Sequence, residues 1–227
     1  MRSRCNIVDN NLFINTWLGV DSRYVTPANS CNIEGYLSNF NHILRELGVT
    51  LLTGQHDEYL PSIDYSYFNT KPIDDFLNSN STRMVLIDTC TPQSGQASKF
   101  DMTSIVQRIC DTFKKTTIIT APLDIVATNH ITTQEITNSE DGFDLNEISY
   151  LSTYIDLLIG RSSGCYVFSM TRENCMNPNK TFLSFTHKWE ASHIVYEMAA
   201  KLLWCSATSD EDVYEMICKV MKERNYE

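Results

Sequence analysis

No stretch of about 18 consecutive apolar residues occurs in this 227-residue chain, so no segment is read as a membrane span. The opening MRSRCNIVDNN lacks an apolar h-region and is not expected to act as a signal peptide. Basic residues are scarce: 18 Lys and Arg stand against 28 Asp and Glu, for a net charge of -10. That balance lacks the electrostatic footprint of a nucleic-acid binder, and no nucleic-acid partner is expected. There is no CxxC, and no Cys/His cluster has zinc spacing. The eight cysteines are widely spaced, several inside apolar patterns, so reduced thiols, no structural metal and a cytoplasmic location are expected. GxxxxGK[ST] and GxGxxG are both absent, as is HExxH. No internal repeat or low-complexity tract is visible.

What the chain does have is 42% hydrophobic and 20% charged residues, a balance that suits a globular protein with a proper core. Residues 12–19 read as a strand with a glycine exit. Glu34 to Leu47 reads as a helix with Tyr36, Leu37, Phe40, Ile43, Leu44 and Leu47 on one face and Gly48 placed to end it. Residues 49–52 form a further short strand. The polar run at 78–82 is the candidate boundary, which gives parts 1–82 and 83–227.

Beyond it the pattern is regular. Strands are expected at 84–87, 116–120, around 131–136, at 156–160 and at 181–186. Asp101 caps a helix bearing Met102, Ile105, Val106, Ile109, Cys110 and Phe113. Asp144, with Glu147 three residues on, signals another helix start. Helices at about 190–204 and 210–224 close the chain. Strands alternating with helices of 10 to 15 residues imply an α/β fold with a parallel sheet.

Two polar small-residue loops leave strand ends. Residues 91–99 (TPQSGQASK) place Ser94, Gly95, Gln96 and Ser98 before a helix. Arg161-Ser162-Ser163-Gly164 follows the 156–160 strand. Backbone amides at a helix start, hydroxyls and a guanidinium suit phosphate or carboxylate. Both loops leave carboxyl ends, where open α/β sheets bind ligands. Glu173 is a candidate acceptor for ribose or sugar hydroxyls. His56, beside Asp57 and Glu58, is a candidate general base. Asp210-Glu211-Asp212 contains a DxD, but it opens a helix, where acids offset the helix dipole.

The residues NTWLG, the Gln-Ser-Gly-Gln loop ending in Phe-Asp, DLNEIS and IGRSSG resemble bacterial proteins related to the nucleotide-sugar-binding half of GT-B glycosyltransferases. The Gly160–Gly164 turn is similar to the (D/S)SG turn of lipopolysaccharide heptosyltransferases and of the UDP-sugar epimerases that share their fold. The resemblance spans roughly residues 84–205. It implies a Rossmann-like sheet with helices on both faces and a reduced N-terminal acceptor side. It also implies Ser162, Ser163 and Gly164 against a donor diphosphate, and metal-independent sugar transfer to a glycan acceptor with no cofactor. Asp21 or His56 would then supply the base. Cys165 stands where proline is common, and the N-terminal part is short for an acceptor domain. Such a chain would borrow surface from a partner subunit or associate peripherally with a membrane. The rival readings are a non-catalytic sugar-nucleotide or protein-binding module, and an epimerase or hydrolase on the same fold.

Overall fold

The computed structural model describes residues 5–8, 11–14, 44–45, 48, 60–90, 98–138, 144–161, 164–185 and 198–227. The chain divides into two compact units: Met1–Tyr59 with Trp189–Glu197, and Leu60–Lys188 with Met198–Glu227.

In the smaller unit β1 (Cys5–Val8) pairs antiparallel with β2 (Asn11–Ile14), with Cys5 opposite Ile14. Leu44 and Arg45 are helical. Gly48 has φ +68°, and its N–H donates to the Arg45 carbonyl at 3.1 Å. This is the left-handed glycine that closes helices without a Cβ penalty. The rest of the expected 34–47 helix, residues 15–19 and the strand at 49–52 lie outside the described residues.

The larger unit is α/β, built on one six-stranded, all-parallel sheet. Its strands are β3 (Arg83–Ile87), β4 (Thr116–Thr120), β5 (His130–Thr132), β6 (Leu157–Arg161), β7 (Thr181–Phe185) and β8 (Lys201–Cys205). The spatial order is β5-β4-β3-β6-β7-β8. Counted from β3, this is the Rossmann order 3-2-1-4-5-6. The order reverses between β3 and β6, which pair from Val85 opposite Leu157 to Ile87 opposite Ile159.

Burial is nearly continuous along the central strands β3, β4, β6 and β7, so both sheet faces are covered there. Val85, Ile87, Ile118, Leu157, Ile159, Leu183 and Phe185 join one core with α2 (Met102–Thr112) and α7 (Asp210–Glu223). Ile105 and Ile109 from α2 and Val213 and Ile217 from α7 meet them there. The alternate residues Leu86, Ile119, Leu158 and Phe182 are buried outside that core. The remaining described helices are α1 (Lys71–Ser79), α3 (Thr133–Thr137), α4 (Leu145–Ser152), and the one-turn helices α5 (Gly164–Val167) and α6 (Arg172–Cys175). Strands buried on both sides read as continuous apolar runs, which is why RMVLI and TTIIT were legible.

Several expectations are met residue by residue. The Asp101 side chain accepts from the Ser104 N–H at 3.2 Å and caps α2. The DxD triplet is the first turn of α7, capped by Ser209, whose hydroxyl accepts from the Asp212 N–H at 3.1 Å. Residues 78–82, read above as a boundary, link α1 to β3 inside the larger unit.

Others are corrected. The expected helix at 190–204 ends in a strand instead: Lys201–Cys205 pairs parallel with β7, Lys201 opposite Thr181. The short apolar run Leu202–Cys205 fits either periodicity, and pairing with β7 decides the matter. The strand expected around 131–136 stops at Thr132, which caps α3 by a reciprocal pair with Glu135. The helix expected after Gly164 is two short pieces. Thr171 starts the second, and the buried Asn174 amide donates to the Ser152 hydroxyl and the Ser169 carbonyl, fixing the break.

Among the described residues, Cys90, Cys110, Cys175, Cys205 and Cys218 form no disulfide. Burial pushes Cys110 up to about 11 and Cys175 up to about 12. Cys205 and Cys218 are raised too, again chiefly by burial. The folded values lie above the unfolded one, so these thiols stabilise fully below pH 9 and lose that contribution as pH rises through their folded values. Lys180 acts in the opposite sense, one group against four. The melting temperature is expected to fall from about pH 9 upward. At pH 9, iodoacetamide should alkylate Cys110 and Cys175 only after denaturant is added. Rapid native alkylation of both would contradict their burial.

Candidate functional site

The carboxyl ends of β3, β4 and β6 frame a cavity of about 300 Å³. β3 contributes Leu86, Ile87 and, just past its end, Asp88 and Cys90. Ala121 and Pro122 follow β4, and Leu158 and Ile159 come from β6. Thr133 and Gln134 open α3, while Asp144, Leu145 and Ile148 come from the start of α4. Tyr166 of α5 and Ser169 complete the wall. The cavity therefore opens at the reversal of strand order, where open α/β sheets hold ligands.

Backbone and side chains both fix this edge. The Asp88 N–H donates to the Ile159 carbonyl at 2.7 Å, extending the β3–β6 pairing beyond the strand. The Asp88 carboxylate accepts from the Cys90 N–H at 2.9 Å, which turns the chain outward. Asp144 does not cap α4 with its side chain. Its carboxylate is buried and accepts from the Thr137 hydroxyl at 3.3 Å. The carboxylate is thereby tied to α3 instead of to the first amides of its own helix.

Tyr166 is buried, and its ring stands edge-on to Phe182, centroids 6.2 Å apart. Burial first, and the nearby Asp88 carboxylate second, hold its phenol well above the ordinary range, while the neighbouring Ser184 hydroxyl works against them. Gly160 lies under that ring. A Cβ there would overlap Tyr166 and sit 3.0 Å from the Asp88 Cβ. The glycine is thus the gap that lets the ring pack on the strand.

Arg161, at the end of β6, is 1% exposed, and its Nη2 donates to the Thr89 carbonyl at 2.6 Å. Burial lowers its pKa, and the Asp88 carboxylate works the other way. It joins the end of β6 to the segment leaving β3. Arg161 is not among the residues that line the cavity.

The other sequence candidates distribute as follows. Ser98 is half-buried just ahead of α2, Gly164 begins α5, and Glu173 is exposed in α6. Asp21, His56, Ser94, Gly95, Gln96, Ser162 and Ser163 lie outside the described residues. Cavity residues that sequence reasoning passed over include Asp88 and Tyr166. A carboxylate directly after an apolar strand was the available signal for Asp88; Tyr166 had none.

Among the described residues, no group of three or more His, Cys, Asp or Glu is placed to hold a metal ion. No described helix is long and apolar enough to cross a membrane. His130 Nε2 pairs with the Thr120 hydroxyl at 2.9 Å, and burial lowers its pKa. No protein-family model, curated protein or solved structure matches this chain.

Proposed function

We propose that the larger unit binds the nucleotide end of a sugar-nucleotide donor and that the chain transfers the sugar to a glycan acceptor without a metal. The observation that carries this is the cavity at the β3–β6 reversal, on the edge of the sheet where strand carboxyl ends converge. The resemblance of the DLNEIS and IGRSSG segments to GT-B proteins supports the choice of ligand. On this reading residues 91–97 and 162–163 meet the diphosphate, and Arg161, bonded to the Thr89 carbonyl, joins the chain just ahead of each. A general base would come from the N-terminal part, with Asp21 and His56 as candidates. A partner subunit or peripheral membrane contact would complete the acceptor side.

A thermal-shift screen with nucleotides and sugar nucleotides tests the binding step. A ligand present at 100 times its Kd adds about 2.7 kcal/mol to apparent stability, which a melting curve resolves. At least one sugar nucleotide should raise the melting temperature by several degrees. Product analysis of that ligand with a glycan mixture then separates transfer from hydrolysis and epimerisation. A flat response across the whole panel would refute the reading.

A further inference from the structure

We infer that the cavity receives the uncharged, hydrogen-bond-donating ring end of its ligand, a nucleoside-sized group met by Asp144 and Asp88, and that phosphates stay outside it. This rests on the nucleotide-binding reading above. The first argument is charge. No Lys, Arg or His lines the cavity among the described residues, whereas two carboxylates do. A phosphate pushed into this space would lose its hydration and meet charges of its own sign. Arg161 stands close enough to Asp88 to offset that carboxylate in part, which leaves Asp144 as the stronger selecting group.

The second argument is hydrogen-bond direction. An ionised carboxylate only accepts, with room for about four bonds on its two oxygens. Asp144 is buried and takes one from Thr137. A ligand group beside it must therefore donate. Exocyclic amino groups, ring N–H groups and ribose hydroxyls donate; phosphate oxygens at neutral pH do not. The third argument is surface. Leu86, Ile148, Leu158 and the Tyr166 ring supply apolar and aromatic wall on which a flat heterocycle can lie. The fourth is size. About 300 Å³ is at the low end for ligand sites, enough for one nucleoside-sized fragment and too little for a whole sugar nucleotide.

The test is calorimetric titration of the intact chain with adenosine, guanosine, uridine and cytidine, their 5′-diphosphates, and inorganic pyrophosphate. At least one nucleoside should bind within about tenfold of its diphosphate, and pyrophosphate should not bind. Asp144→Asn should weaken that nucleoside at least tenfold while the circular dichroism spectrum is retained. A second measurement needs no variant. Cys90 lines the cavity, so the bound nucleoside should slow its alkylation in the wild-type chain, read by peptide mass mapping. Pyrophosphate binding as tightly as the diphosphates, with every nucleoside silent and Cys90 unprotected, would overturn the inference and leave the nucleotide reading standing. Silence from nucleosides, diphosphates and sugar nucleotides alike would remove that reading and this inference with it.

Discussion

Gly160→Ala is expected to cost about 3 kcal/mol of folding stability, at the upper end of the range for overpacking a filled interior. It should also weaken ligand binding in the cavity by at least tenfold. The added methyl would overlap the Tyr166 ring, lie 2.9 Å from its Cγ and 3.0 Å from the Asp88 Cβ. Nothing nearby can yield freely. Gly160 is held in register opposite Ser184 on β7, and the Asp88 backbone is bonded to Ile159. Tyr166 is buried against Phe182. The ring belongs to a one-turn helix outside the sheet, so it is the part that shifts, and the cavity wall shifts with it. A compensating variant separates the two effects. Gly160→Ala combined with Tyr166→Leu should recover part of the stability by relieving the overlap, without restoring the aromatic wall. Chemical denaturation of both variants measures the first effect and calorimetry the second. Wild-type stability in Gly160→Ala would mean that the ring does not pack on this strand as described.

How far the sequence could be read depends on whether a signal was local. The central strands were legible because β-branched and aliphatic runs such as TTIIT need both faces covered. The start of α2 was legible because Asp101 precedes an apolar face and its carboxylate reaches the Ser104 amide. The Thr132–Glu135 capping box was equally local, a T-x-x-E pattern in plain view, and was passed over in favour of a longer strand. Lys201–Cys205 was not legible in this way. Five residues with Leu, Leu and Trp satisfy a helix face as well as an edge strand, and only the neighbouring β7 chooses between them. Asp144 shows the same limit at the site. Locally it is a helix cap, and only the packing of α3 against α4 brings Thr137 to its carboxylate. Strand polarity alone places the segments that follow β3 and β6 at the carboxyl edge of the sheet, and that much a sequence can give. The wall of the cavity comes from residues 86 to 169, and no spacing rule connects positions so far apart.

Lys180→Met is expected to destabilise the larger unit by about 3 kcal/mol, a few unsatisfied buried carbonyls' worth of desolvation less the relief of removing a buried charge. Lys180 is 1% exposed, among the largest fully buried side chains. Its ammonium donates to the carbonyls of Ser152 at 2.6 Å, Thr153 at 2.8 Å and Ile155 at 2.8 Å. Those are the carbonyls at and beyond the end of α4, which no amide of that helix can reach. An ammonium has three hydrogens, and all three are used here, so the group is a helix-end clamp with none left for a substrate. Methionine keeps the length and apolar stem but donates nothing. Burial lowers the Lys180 pKa to about 8, with Asp156 working the other way. Its folded value therefore lies below the unfolded one. Between the two, the unfolded chain holds a proton that the folded chain has released, so the lysine's net contribution rises with pH across that window. The wild type should exceed Lys180→Met by more at pH 10 than at pH 7. Thiols and phenols titrate in both proteins, and their effects cancel in the subtraction. Guanidinium denaturation of the pair at the two pH values supplies the numbers. A difference that shrinks on going to pH 10 would show that the three carbonyls favour the ammonium more than burial disfavours it, and an unchanged stability at pH 7 would show that those carbonyls find water instead. Because α4 also carries Asp144, Leu145 and Ile148, loosening its far end should reach the cavity, and ligand affinity in Lys180→Met should fall even where the fold survives.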